Sequence, residues 1–232
     1  MQTVLITGAN RGLGLEFCKQ YSAAGWRVLA VCRCPDDAEA LLTLAADSDR
    51  VKVLAADIAD FGQIDALAAE LRGTPIDVLL NNAGVYGDRS GHGFGNLDYS
   101  TWLDTLTINT LAPVKLAEAL LPNLQAGQRK LIVTVSSLMG SMTDNTSGGS
   151  ILYRSSKAGV NAAMKSLSID LAPQGIGVLI LHPGWVRTDM GGPNALIDAH
   201  ESVSGMINVI DGYAPAQSGS FLRFGDGKVM PW

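Results

Sequence analysis

A phenol and an ammonium stand at i and i+4 in Tyr153-Arg154-Ser155-Ser156-Lys157. On a helix that spacing puts both on one face, about 5–6 Å apart at Cβ. A neighbouring cation favours the phenolate and draws a tyrosine pKa down from about 10 toward working pH, so the pair could pass a proton. Alone, the same pair reads equally well as a surface contact. A second cluster gives it a context: Thr7-Gly8-Ala9-Asn10-Arg11-Gly12-Leu13-Gly14 lies where an apolar run gives way to a helical pattern. Glycine there permits positive φ and close backbone approach to a pyrophosphate, whose charge a helix N-terminus favours. The spacing G-x-x-x-G-x-G is neither the plain G-x-G-x-x-G fingerprint nor a P-loop with its Gly-Lys-Ser/Thr ending. Kinase and ATPase readings lose their main support, and Gly8, Asn10, Arg11, Gly12, Leu13 and Gly14 become candidate dinucleotide contacts.

Folds that select the non-phosphorylated dinucleotide usually carry a carboxylate about 20 residues further on, bonded to the ribose 2′-hydroxyl. Here Arg33 closes the second apolar run. A guanidinium suits a 2′-phosphate, which it grips bidentately, with Arg11 on the other side. The expected cofactor is therefore NADP(H), ordinary solvated arginines being the alternative. Asp57, after the third run, could accept a hydrogen bond from the adenine amino group, with Ile58 beside it; an acidic helix cap is the competing reading.

The elements that must position these groups alternate along the chain. Val4–Thr7, Val28–Cys32, Val51–Ala55, Val78–Leu80, Leu131–Val135 and Val178–Leu181 are nearly continuous apolar runs, as strands buried on both faces must be. A seventh is expected near Phe221–Phe224. Between them Leu13–Ala24, Asp37–Ala46, Ile64–Leu71, Trp102–Leu124, Tyr153–Leu171 and a shorter stretch around Val203–Ile210 have helical spacing. This alternation predicts a doubly wound, mostly parallel Rossmann-like α/β sheet of about seven strands with helices on both faces. With no repeat or linker, residues 1–232 read as a single domain. Its substrate loops fall near 84–98 and 187–204, where Tyr86, His92, Phe94, Met139, Met142 and Trp185 could wall a pocket.

Further motifs fall in order along this frame: Asn81-Asn82-Ala83-Gly84, Asn109, Ser136-Ser137-Leu138-Met139-Gly140 and Pro183-Gly184. With the glycine turn and the Tyr/Lys pair they resemble the short-chain dehydrogenase/reductase superfamily over essentially the whole chain. Asp144–Gly149, His182–Gly192 and Met230-Pro231-Trp232 are similar to its C-factor/sniffer group of carbonyl-reductase-like members. The resemblance implies that Tyr153 exchanges a proton with the substrate oxygen. It also implies that Lys157 lowers the tyrosine pKa and holds the nicotinamide ribose beside Tyr153. Ser137, three residues before Gly140, is the implied donor to the substrate oxygen. Asn109 would place a water beside Lys157, or be a helix-kink residue. Asn81, Ala83 and Gly84 would line the adenosine ribose, Asn81 reading equally as a link between strands. Pro183, Gly184 and Val186 would flank the nicotinamide, and Thr188 would reach the phosphates. Tyr153 follows Ser137 at a longer interval than is commonest in the family, a difference that a polar loop at Asp144–Gly149 absorbs.

Composition narrows the partners. A formal charge of −5 has the wrong sign for a phosphate backbone, so no nucleic acid is expected, and no stretch is apolar enough to predict a membrane span. Cys18, Cys32 and Cys34 read as buried free thiols and the three histidines share no ligand spacing, so no metal is expected. A cytoplasmic homodimer or homotetramer reducing a ketone, aldehyde or quinone is the resulting expectation. A dinucleotide-binding signalling protein of C-factor type, with slow or incidental turnover, is the rival.

Overall fold

The structure is a computed structural model that describes residues 1–232. Seven strands form one sheet: β1 (Thr3–Thr7), β2 (Arg27–Cys32), β3 (Val51–Ala55), β4 (Val78–Asn81), β5 (Leu131–Val135), β6 (Gly177–His182) and β7 (Ser220–Arg223). Their order is β3-β2-β1-β4-β5-β6-β7, and every neighbouring pair is parallel. The doubly wound architecture read from the apolar runs is therefore the observed one.

Eight α-helices cover the faces: α1 (Gly12–Ala23), α2 (Glu39–Ala46), α3 (Phe61–Glu70), α4 (Tyr99–Leu106), α5 (Ala112–Ala119), α6 (Leu121–Ala126), α7 (Ile151–Asp170) and α8 (Ala199–Asp211). The strand pleat sorts the core into two halves. Val4 and Ile6 pack with Phe17, Tyr21, Leu41 and Met206 of α1, α2 and α8. Leu5, between them, packs with Ile64, Leu116 and Val160 of α3, α5 and α7 on the other face. Val160 and Met164 on α7, and Leu171 just past its end, belong to this second core; each fully buried side chain contributes about 1.5–3 kcal/mol. No helix is long and apolar enough to cross a membrane.

The structure corrects two expectations. The helix read as Trp102–Leu124 is three helices, with a π-turn at Thr107–Leu111 between α4 and α5. Pro113 lacks the N–H that the Asn109 carbonyl would take in an α-helix, so the ladder is interrupted there; Pro122 opens α6 in the same way. Among the cysteines, Cys18 and Cys32 are buried but Cys34 is exposed, because it lies past the end of β2. Strand order reverses at β1, whose neighbours are β2 and β4. Chains leaving β1 and β4 therefore part to opposite faces and leave a crevice beyond their carboxyl ends.

Candidate active site

That crevice has a volume of about 790 Å³ and runs from Arg33 and Asp37, past the glycine turn, to Tyr153, Lys157 and Pro183. Gly8, Asn10, Gly12 and Leu13 lie on its wall. Thr7 closes β1 by accepting the backbone N–H groups of Asn82 and Ala83 on its hydroxyl, both at 3.1 Å. The Asn82 amide returns a bond to the Thr7 carbonyl at 2.9 Å. The turn is packed so closely that a Cβ on Gly14 would sit 2.0 Å from the Gly8 carbonyl oxygen. Arg11 precedes α1 without giving it a side-chain cap, and its first turn holds no acidic residue, which leaves the first N–H groups open to an anion.

Arg33 lines the far end, as does Asp57 with Ile58. One Asp57 oxygen accepts the Ala59 N–H at 2.9 Å, a local cap that leaves the other oxygen available. Arg11 reaches across the mouth to Asp189 at 2.5 Å instead of standing free beside Arg33. Asn81 also differs from the ribose-lining expectation. It is buried in the sheet and donates to the Thr134 hydroxyl at 3.3 Å, while Asn82, one residue on and facing the other way, lines the crevice with Ala83 and Gly84. Beyond β6, Pro183 and Thr188 are on the wall. Val186 is buried and bridges to Ile197, and Gly184 packs against Phe224 and Ile197.

At the other end, α7 presents Tyr153 and Lys157 on one buried face. The Lys157 Nζ lies 5.7 Å from the Tyr153 ring centroid and donates to the Val135 carbonyl at 2.9 Å. Burial, which disfavours an ammonium, pulls Lys157 down to about 8. Tyr153 moves opposite to the sequence expectation: burial pushes its phenol up to about 12, more than the Ser137 hydroxyl beside it pulls it down. At neutral pH the phenol is thus a protonated donor. Ser136 turns inward, donating to Asn161 at 2.6 Å. Ser137 accepts the Met139 N–H at 3.1 Å and faces the phenol. Gly140 permits this turn to rest on α7, since a Cβ there would meet the Lys157 backbone at 2.8 Å.

Asn109, in the π-turn, is buried and bonded through its side-chain oxygen and both amide hydrogens. It accepts the Val85 N–H at 2.9 Å and donates to the Val85 carbonyl at 2.8 Å and the Ser156 hydroxyl at 2.9 Å. Its side chain therefore ties the loop after β4 to α7.

The buried ammonium has a measurable signature. Lys157 binds its proton less tightly folded than unfolded, so below pH 8 the fold carries the full cost of the buried charge. That cost is relieved as pH rises from about 8 toward the ordinary 10.5. In urea titrations at about pH 7.5 and 10, wild type is expected to gain on the order of 3 kcal/mol relative to Lys157→Met. A difference between the two that ignores pH would contradict a buried charge.

A crevice with a glycine turn at its centre and Tyr153, Lys157 and the Ser137 hydroxyl gathered at its end lies beyond the carboxyl ends of a parallel sheet. The short chain dehydrogenase family model matches residues 2–196. This chain is a short-chain dehydrogenase. Among curated relatives it is 46% identical over 167 residues to the C-signal of Myxococcus xanthus, covering 72% of this chain and 99% of that one. Of solved structures, the carbonyl reductase Sniffer of D. melanogaster superposes with a TM-score of 0.93 at 36% identity, covering 100% of both chains. An NADPH-bound carbonyl reductase from chicken fatty liver superposes with a TM-score of 0.91 at 34% identity, over 100% of this chain and 99% of that one.

Asn82, Gly140 and Asp189 stand in the sequence motifs without the roles the structure gives them, and Asp88, which bonds to the start of α7, is singled out by no motif. Strand alternation separates Asn81 from Asn82 without saying which faces the ligand. The other three act through tertiary contacts that leave no local pattern.

Proposed function

We propose that this dehydrogenase transfers a hydride between NADP(H) and a carbonyl/alcohol pair, and that it works as a reductase of a ketone, aldehyde or quinone. The observation that carries the reading is the convergence of a protonated, buried Tyr153, with the Ser137 hydroxyl against its phenol, and Lys157 on the same crevice as the uncapped start of α1. Support for the phosphorylated cofactor comes from Arg33 at the adenosine end and from the NADPH named in the chicken liver relative. Exposed Tyr99, Leu103 and Ile169 on α4 and α7 suit the expected homodimer or homotetramer.

The residues present fit a dinucleotide. Gly12, Leu13 and the first N–H groups of α1 would hold its pyrophosphate, Arg33 its 2′-phosphate, and Lys157 its nicotinamide ribose through the N–H donors not given to Val135. When bound, the reduced nicotinamide supplies a hydride to the carbonyl carbon. Ser137 donates a hydrogen bond to the substrate oxygen as negative charge builds there. Tyr153 releases its proton to the same oxygen, an alkoxide being far more basic than a phenolate. Lys157, held beside the ring with a pKa of about 8, is placed to stabilise the phenolate until it is protonated again.

The test follows NADPH oxidation with a panel of ketones, aldehydes and quinones. Turnover with at least one class is expected. Tight NADPH binding without turnover on any of them would favour the second reading, a dinucleotide-binding signalling protein, for which the 46% identity to C-signal is the supporting observation. Arg33→Ala is expected to weaken NADPH binding about 10–100-fold, the size of one lost charge-assisted pair, and to leave NADH binding nearly unchanged. Equal losses for both cofactors would remove the role assigned to Arg33.

A further inference from the structure

Tyr153 is the third residue of α7, in the turn where a helix frays most readily. That turn lacks a cap of its own. Ser150 precedes the helix in the left-handed region, at φ 46° and ψ 45°, makes no side-chain cap bond, and is followed by no acidic residue in the first turn. A serine caps from extended backbone, not from this conformation. Leu152 and Tyr153 are nonetheless buried, so their N–H groups need partners.

The partner comes from the loop after β4. Asp88 accepts the Tyr153 N–H on Oδ2 at 2.8 Å and the Leu152 N–H on Oδ1 at 3.3 Å. The same loop grips this turn twice more. The Tyr86 hydroxyl lies 2.7 Å from the Ser150 hydroxyl, and the Tyr86 and Tyr153 rings are 4.9 Å apart. Upstream, Val85 is fastened at both its N–H and its carbonyl by Asn109. Residues 85–88 thus form a short strap, anchored on the π-turn at one end and on the proton donor's own backbone at the other.

We propose that Asp88 is a positioning residue, a cap supplied from a distant loop that fixes the first turn of α7 and thereby sets where the Tyr153 hydroxyl stands. The assignment rests on the proposed role of Tyr153 for its catalytic consequence, but the capping itself is independent of turnover. Asp88 touches neither the reacting atoms nor the dinucleotide crevice, so its effect belongs in kcat and in the order of one helix turn, not in cofactor affinity.

Asp88→Ala and Asp88→Asn are to be compared with wild type by steady-state kinetics, NADPH titration and amide hydrogen exchange. In Asp88→Ala we expect exchange at Leu152 and Tyr153 to rise about tenfold, the ratio carried by a lost cap. We expect kcat to fall about tenfold or more, since small displacements of a reacting group are costly, with NADPH affinity kept. Asp88→Asn, which keeps one acceptor oxygen for two N–H groups, is expected to recover most of the loss, to a kcat about threefold below wild type with exchange still raised at one of the two amides. Wild-type exchange at both amides in Asp88→Ala would overturn the cap, and wild-type kcat would overturn the positioning role. Should Asp88→Ala not fold, Asp88→Asn decides alone: raised exchange with kcat reduced about threefold supports the proposal, and wild-type values of both overturn it. Absence of turnover in wild type would fail the reductase reading and leave the exchange result standing.

Discussion

Tyr153→Phe is expected to lower kcat by about 10²–10⁴, the contribution of a positioned general acid, while leaving the fold and NADPH affinity close to wild type. The ring is buried against Tyr86, and phenylalanine fills the same space. Removing the hydroxyl takes away only the proton that the substrate oxygen needs. Because burial holds the phenol near 12, wild-type reduction should show no loss of the donor through the neutral range. The change in slope expected near pH 8 belongs to Lys157. Kinetics with a saturating carbonyl substrate, with cofactor binding followed separately by NADPH fluorescence, check both statements. A variant that turns over like wild type would remove Tyr153 from the chemistry.

Gly14→Ala is expected to destabilise the protein by about 3 kcal/mol or more and to abolish dinucleotide binding. Helix propensity argues the other way, since alanine is favoured over glycine inside a helix by up to about 1 kcal/mol. Contact decides the sign: the added methyl would lie 2.0 Å from the Gly8 carbonyl oxygen and 2.7 Å from the Asn82 amide. Only the amide end can swing aside. The backbone of the turn would have to move, and overpacking of this kind outweighs the propensity gain. Urea denaturation and NADPH titration read the two effects, and a wild-type midpoint with wild-type affinity would refute the close packing.

Much of this molecule is legible in the order of its residues. The central strands are, because both of their faces are covered and nothing polar interrupts Val4–Ile6 or Leu131–Val133, while the edge strand β3 exposes Lys52 and Ala55. The glycine turn and the Tyr153/Lys157 pair are, because their chemistry depends on short-range spacing. The uninterrupted helix over Trp102–Leu124 is not what forms, since apolar periodicity continues smoothly through Pro113 while the hydrogen-bond ladder does not. The direction of the Tyr153 shift was equally hidden: proximity to Lys157 can be counted along the chain, but the depth at which both are buried cannot. Asp88 belongs to the same class, its cap on α7 closing a contact between residues far apart in sequence.

The all-parallel sheet also bears on how the chain acquires its shape. No two adjacent strands are joined by a hairpin, so every pairing waits for an intervening crossover, and the central β1, made first, lacks its β4 neighbour until residues 78–81 arrive. Long-range pairing of this kind slows the search and prolongs the exposure of apolar edges. Refolding from denaturant should therefore be slow and sensitive to protein concentration, and the yield of active protein should rise on dilution or with a chaperone present.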